Sequence, residues 1–476
     1  MKESVIAKTI PVALTVIAVV LLYVWLSADA ATDLIERLPG TDGAPQTLTE
    51  GGSEVKLEGT LVKSDGIPAD LPGAWPRFRS ENFNAVSTED VSLARTWPES
   101  GPEILWSIDV GEGFAGPAIL AGRVYLLDYN QKNQADVVRC LSLADGKEIW
   151  RYSYPVKVKR WHGMSRTVPA VTEDYVVTLG PKCHVTCLDS MTGEFLWMLD
   201  LVGEFNTEVP QWYTAQCPLI DNGRAIIAPA GDNVLMMAVD CRTGETVWET
   251  PNPDGWVMTH SSIVPMDFNN RRFYVYCGGS QANGGVVGIS TQDGSVLWKT
   301  DQWKVRINVP MPIVVEPDRI FLTAGYGQVE FGCTMLRLSE TDGKISVEPE
   351  FLHATDIFGS IQQTPILYED HIYGIRPDRQ LVCLDLNGQI VWTSSDTHHF
   401  GPRGFGPYVI ANGMMYIMDD DGILTLADAT PSGYVQLARA KVMEDGNESW
   451  GPMAIASGRL IVRDLNRMLC LDITGQ

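Results

Sequence analysis

Seven short stretches of this 476-residue chain concentrate side chains able to stack, pair with carboxylates or exchange protons. In order they hold Trp161, His162 and Arg166; Gln211, Trp212 and Tyr213; His260; Arg306 and Asn308; Gln362 and Gln363; His398, His399 and Arg403; and Asn447, Glu448 and Trp450. Four of the seven histidines fall within them. Rings offer stacking faces and guanidinium groups pair with carboxylates, so this mixture suits a flat anionic ligand. Any one of these residues alone reads as a solvated loop side chain or a channel cap. The expectation of a shared site rests on six: Trp161, Arg166, Trp212, His260, Gln362 and Arg403. They span 403 − 161 = 242 positions. Such a site needs a fold that returns distant segments to one place.

Other features have plainer readings. Met418-Asp419-Asp420-Asp421-Gly422 brings three carboxylates together, as calcium sites do. It lies between two apolar strand stretches, where a polar Asp-Gly hairpin is required anyway. The nine cysteines include no C-x-x-C, no C-x-x-C-H and no adjacent pair, so zinc ribbons, c-type haem attachment and vicinal-disulfide chemistry lack their spacing. Lys plus Arg is 36 and Asp plus Glu is 59, a net charge of −23. That balance repels phosphate backbones and argues against nucleic acid as a partner.

The elements that must position the six residues announce themselves as a repeat. One phrase, apolar–Ser/Asp–x–x–Thr/Asp–Gly–x–x–apolar–Trp, runs from Leu141 to Trp150, Leu188 to Trp197, Val239 to Trp248 and Ile289 to Trp298. A copy one residue shorter runs from Leu384 to Trp392, and a degraded copy from Leu338 ends in Val347 where Trp is expected. The Asp/Thr-Gly step is a hairpin turn, the flanks alternate as strands do, and the Trp is large enough to fill the gap between neighbouring sheets. The residue just before each phrase is small or Cys: Cys140, Cys187, Ala238, Gly288, Cys383 and Cys470. Cysteine there serves as a small hydrophobe.

A second register gives the count. Pro117, Pro169, Pro218, Pro265, Pro312, Pro365, Pro407 and Pro452 each open an apolar stretch followed by a turn and another. Eight units of about four strands predict an all-β, eight-bladed propeller. The last unit ends just after Gly475 without a Trp strand, while 104–110 supplies a surplus one around Trp106. Strand 104–110 is therefore expected to complete the eighth blade and hide two sheet edges. In a propeller the links from a Trp strand to the next Pro gather at one mouth of the central channel, and the seven stretches above lie in those links.

Ahead of the propeller, Lys2 and Lys8 precede an apolar run from Ile10 to Leu26, with Asp29, Asp33 and Glu36 behind it. Basic residues before the run keep the amino terminus in the cytoplasm and send the rest across the membrane. Its 17 residues fit a short anchor helix, and Ala28-Asp29-Ala30 fits a signal-peptidase site, so an uncleaved anchor and a cleaved signal both stand. The expected domains are 1–30 as the anchor or signal, 31–72 as a flexible linker rich in Gly and Ser, and 73–476 as the propeller.

The Trp-ended phrase resembles the pyrroloquinoline-quinone (PQQ)-like propeller repeat, over about Trp75 to Gln476. That family includes quinoprotein alcohol and sugar dehydrogenases and the propeller lipoprotein of the outer-membrane β-barrel assembly machine. The resemblance implies the fold. It leaves two functions: a membrane-tethered extracytoplasmic binding or scaffolding propeller, with protein partners at its loop faces or a small-molecule ligand, or a PQQ-dependent dehydrogenase with calcium. For the second, Arg166 and Arg403 supply positive charge, Trp161 or Trp212 a stacking face, and Asn308 and Glu448 a calcium ligand or base. They match no dehydrogenase motif, and the adjacent cysteine pair and haem domain of the alcohol-oxidising branch are missing. The first reading is the expectation, with a bacterial inner-membrane anchor and the propeller in the periplasm or outside, or secretion after cleavage.

Overall fold

The computed structural model describes Ala18, Val20, Leu22 and residues 59–160, 163–326, 331–394, 406–446 and 448–475. Ala18, Val20 and Leu22 are helical. The rest of the 10–26 run lies outside the described residues, as do Trp161, His162, His398, His399, Arg403 and Asn447. Among the described residues no helix is long and apolar enough to cross a membrane.

The described strands form eight sheets, each built on four antiparallel strands, which in seven of them follow sequence order. Blades 1 to 8 open with first strands Ala118–Leu120, Ala170–Val171, Leu219–Asp221, Val264–Phe268, Ile313–Val315, Ile366–Tyr368, Tyr408–Ala411 and Ala454–Ala456. Contacts between first strands run from blade 1 to blade 2 and blade 2 to blade 3, and again among blades 4, 5 and 6. Ala454–Ala456 meets Ala118–Leu120 and closes the ring. The eighth sheet takes its fourth strand, Glu103–Asp109, from the other end of the chain, with Trp106 opposite Cys470.

Each Trp strand locks its blade to the next. Trp150, Trp197, Trp248 and Trp298 are buried; Trp392 is half-buried. The Trp106 indole N–H donates to the Leu143 carbonyl of blade 1 (3.0 Å), and that of Trp197 to Cys241 of blade 3 (2.7 Å). Blade 5, where Val347 holds the expected Trp position, solves the same problem differently. Phe351 and His353 stack with centroids 4.6 Å apart, and a β-carbon on Gly388 of blade 6 would meet both side chains at 2.7 Å.

Two stretches depart from the sequence reading. Thr60–Lys63, at the end of the expected linker, adds a fifth strand to the outer edge of blade 1, with Thr60 opposite Ser153. Ala69 N–H donates to the Gly122 carbonyl (3.0 Å), so the chain is bound to the propeller before residue 73. An open sheet edge pairs with whatever extended chain lies close, and here the nearest is its own.

The second stretch, 75–87, fills the channel from the side of the phrase turns. Trp75 exchanges two hydrogen bonds with Ile119 of blade 1 (2.8 Å each), and the Pro76 carbonyl accepts from Val171 of blade 2. Arg79 donates to the carbonyls of Thr364 (2.7 Å) and Pro365 (2.6 Å) in blade 6, and Val86–Ser87 runs parallel to the first strand of blade 7. Phe78 packs onto the apolar clusters of blades 1–2 and 4–5, and Phe83 onto those of blades 2–4 and 4–5. Four non-glycine residues here, Arg79, Ser80, Phe83 and Ala85, have φ between +59° and +71°. Crossing a narrow channel imposes that strained coil, and contacts to both walls hold it.

Candidate functional site

Closing one end turns the channel into a blind pocket open at the other mouth. Its floor includes Phe78. Its walls include Phe114, Arg166, Trp212, His260, Tyr326, Gln362, Gln363 and Trp450, around about 770 Å³ of free space counted out to the open mouth. Four of the six expected residues, Arg166, Trp212, His260 and Gln362, line this one pocket. Trp161 and Arg403 lie outside the described residues.

The links explain the convergence. Each described link runs from a fourth strand at the rim to a first strand at the axis, so its residues just before the Pro hang over the channel. Phe114, before Pro117, obeys the same rule, although its link follows the closing strand rather than a Trp-ended phrase. Tyr326 comes from the loop between the second and third strands of blade 5, which reaches the same face. Phe78 comes from the plug and carries no repeat signal.

Charge in the pocket is buried. Arg166 Nε donates to the Trp212 carbonyl at 2.6 Å, and its guanidinium carbon stands 5.1 Å from the Phe114 ring centroid. Burial lowers Arg166 to about 10, opposed by Tyr326, Tyr213 and Glu448, so it stays charged at neutral pH. His260 is only 9% exposed, and its Nδ1 has no hydrogen-bond partner among the described residues. Burial first, and then the Arg166 charge, depress His260 to about 4, so the ring is neutral.

The aromatic walls are held in place. Trp212 stacks on His260 (6.3 Å, 25°) and leans on Tyr326 (5.3 Å, 33°). Gln362 Nε2 donates to Tyr326 Oη (3.1 Å), and Gln363 Nε2 to the Trp450 carbonyl (3.2 Å). Trp450 in turn packs on Phe114 (5.1 Å). Trp212 and Tyr213 are consecutive left-handed residues with φ of +67° and +71°. Two such residues in a row cost free energy that neighbouring contacts must offset; Tyr213 Oη donating to the Lys159 carbonyl (2.8 Å) is one of them. The result aims the Trp212 ring at the axis.

The pocket tests the quinone reading directly. PQQ is a flat tricarboxylate, held in the dehydrogenases with calcium. The described lining offers one guanidinium, already bonded to a backbone carbonyl, and no carboxylate. Among the described residues no three His, Cys, Asp or Glu side chains group so as to hold a metal. The described residues therefore do not fit PQQ with calcium, and no step is derived through them. The acidic stretch at 419–422 is a turn: Asp419 Oδ1 accepts from the N–H groups of Asp421 (3.0 Å) and Ile423 (2.9 Å).

Known proteins share both sequence and architecture with this chain. The family described as outer membrane protein assembly factor BamB matches residues 134–394. BamB of Salmonella typhimurium is 23% identical over 380 residues, covering 67% of this chain and 87% of that protein. BamB of Moraxella catarrhalis superposes with a TM-score of 0.52 at 14% identity, covering 78% of this chain and all of that one. A europium-containing methanol dehydrogenase superposes with a TM-score of 0.58 at 13% identity, covering 83% and 89%. At such identities the two superpositions speak for the fold alone.

Proposed function

The chain belongs to the PQQ-like propeller family described as outer membrane protein assembly factor BamB, and on that premise we propose that it is an extracytoplasmic binding propeller whose ligand enters the blind axial pocket. The observation that carries this reading is the pocket itself: a blind cavity at the axis lined by five aromatic rings, one guanidinium and the buried, neutral His260. The pocket suits a planar group that stacks on Trp212 and meets His260 and Gln362 at its edge. An aromatic side chain of a partner protein and a small ring compound both have that chemistry. The basic–apolar–acidic order of the first 36 residues supports export and a membrane tether. The relatives' name, assembly factor, supports a role exercised on other proteins.

Calorimetry of the full chain with PQQ and calcium, followed by dye reduction with alcohols and sugars, separates this from the dehydrogenase reading. The binding propeller gives neither heat nor turnover. Turnover that depends on PQQ would overturn it.

A further inference from the structure

The repeat makes a pair of facing positions at each blade junction. In the third strand, the residue opposite the Trp is Cys140, Cys187, Ala238, Gly288, Cys383 or Cys470. The same Trp reaches the phrase turn of the following blade. Trp106 does so at Leu143, Trp197 at Cys241 and Trp392 at Thr430. The third-strand residue therefore faces that turn residue. Aligned on the phrase, the facing pairs are Cys470 with Leu143, Cys140 with Ser190, Cys187 with Cys241, Ala238 with Thr291 and Cys383 with Ala429. Of these junctions, the one between blades 2 and 3 puts cysteine on both sides.

The geometry there is close. Cys187 Sγ lies 3.4 Å from the Cys241 carbonyl oxygen, so the Cys187 side chain points at the Cys241 residue across the junction. Trp197 fixes the same carbonyl at 2.7 Å. Both cysteines are fully buried. We propose that Cys187 and Cys241 form a disulfide that staples blade 2 to blade 3 when the chain folds in an oxidising compartment.

The oxidant is a disulfide of the glutathione class. A cysteine thiolate attacks one sulfur of glutathione disulfide and releases one glutathione thiol. The second cysteine then displaces the other glutathione, closing the protein bond. The protein gives up two electrons and two protons, and the glutathione disulfide takes both up as two thiols. In the folded chain the hydrogen bond to Cys241, and then burial, raise the Cys187 thiol far above its ordinary range. Both thiols are buried once the blades have closed, out of reach of a glutathione disulfide, so the exchange belongs to folding.

The inference uses the export reading only for its oxidant, so the test supplies the oxidant separately. The full chain is refolded in a glutathione redox buffer, and the same chain is isolated from its cells under acid quench. Both are alkylated and mapped by mass spectrometry. The expected result is 9 − 2 = 7 alkylated cysteines and one cross-linked pair of peptides containing Cys187 and Cys241. Cys187→Ala and Cys241→Ser copy residues that sibling blades carry (Ala238 and Ser190), so both should fold and both should lose the cross-link. Nine alkylated cysteines in both samples would overturn the pair. A cross-link in the refolded chain with nine free thiols in the cell-derived chain would overturn export and leave the pair standing.

Discussion

Trp150 lies so close to the phrase turn of blade 2 that a β-carbon on Gly193 would meet its Cδ2 at 2.6 Å. The same relation recurs between Trp106 and Gly146, Trp197 and Gly244, and Trp248 and Gly294. The recurring glycine thus has two duties: its φ of +75° at Gly193 makes the hairpin, and its bare Cα leaves room for the neighbour's indole.

Gly193→Ala should therefore lose stability twice, by about 1–2 kcal/mol for the left-handed backbone and again for the displaced ring. Trp150→Ala, which empties a fully buried site, should cost about 3–5 kcal/mol. Trp392→Ala should cost less, because that ring is half-buried. Denaturant midpoints of the three variants check the order.

The unfolding midpoint of the chain from residue 59 onward is the reference. Removing residues up to Val110 should lower it sharply, because blade 8 loses its fourth strand, blade 1 its added strand and the channel its plug. Equal midpoints for the two truncations would contradict the closure.

Two buried groups give opposite pH dependences. His260 is depressed to about 4, so between pH 6.5 and 4 the unfolded chain binds a proton that the folded chain refuses. Its contribution is present above about pH 6.5 and lost as pH falls, on the order of 3 kcal/mol over the window. His260→Gln should flatten that acid limb.

Asp136, fully buried between blades 1 and 2 beside Tyr154, is raised by burial to about 8. From about pH 4 to 8 the unfolded chain is ionised while the folded chain keeps its proton. Stability is thus lost as pH rises, by about 1.4 kcal/mol per pH unit. Asp136→Asn, which mimics the protonated acid, should be more stable than the parent by a margin that grows toward pH 8. Chemical unfolding at several pH values reads both effects.

The ring was legible because its determinants are local and repeated. A hairpin turn, a Trp and an opening Pro recur at nearly fixed intervals, and each acts on its immediate neighbours. The substitution in blade 5 was not legible, since Phe351 and His353 lie beyond the phrase and share only their ring shape with Trp. The mouth residues Arg166, Trp212, His260 and Gln362 followed from topology alone. The plug could not be read at all. Phe78 and Arg79 belong to no repeat, and their partners at Thr364 and Pro365 are almost 300 residues away in sequence.

The axial pocket as the binding site is the central claim, and site-specific photo-cross-linking tests it most directly. A photoreactive residue replaces Gln362 in the pocket or, as the control, Val247 on the exposed outer strand of blade 3, in the full chain in its own cells. The account predicts an adduct from position 362 that disappears when Trp212→Ala is added, and none from position 247. Adducts from position 247 with none from position 362 would contradict it and move the binding surface to the outer rim.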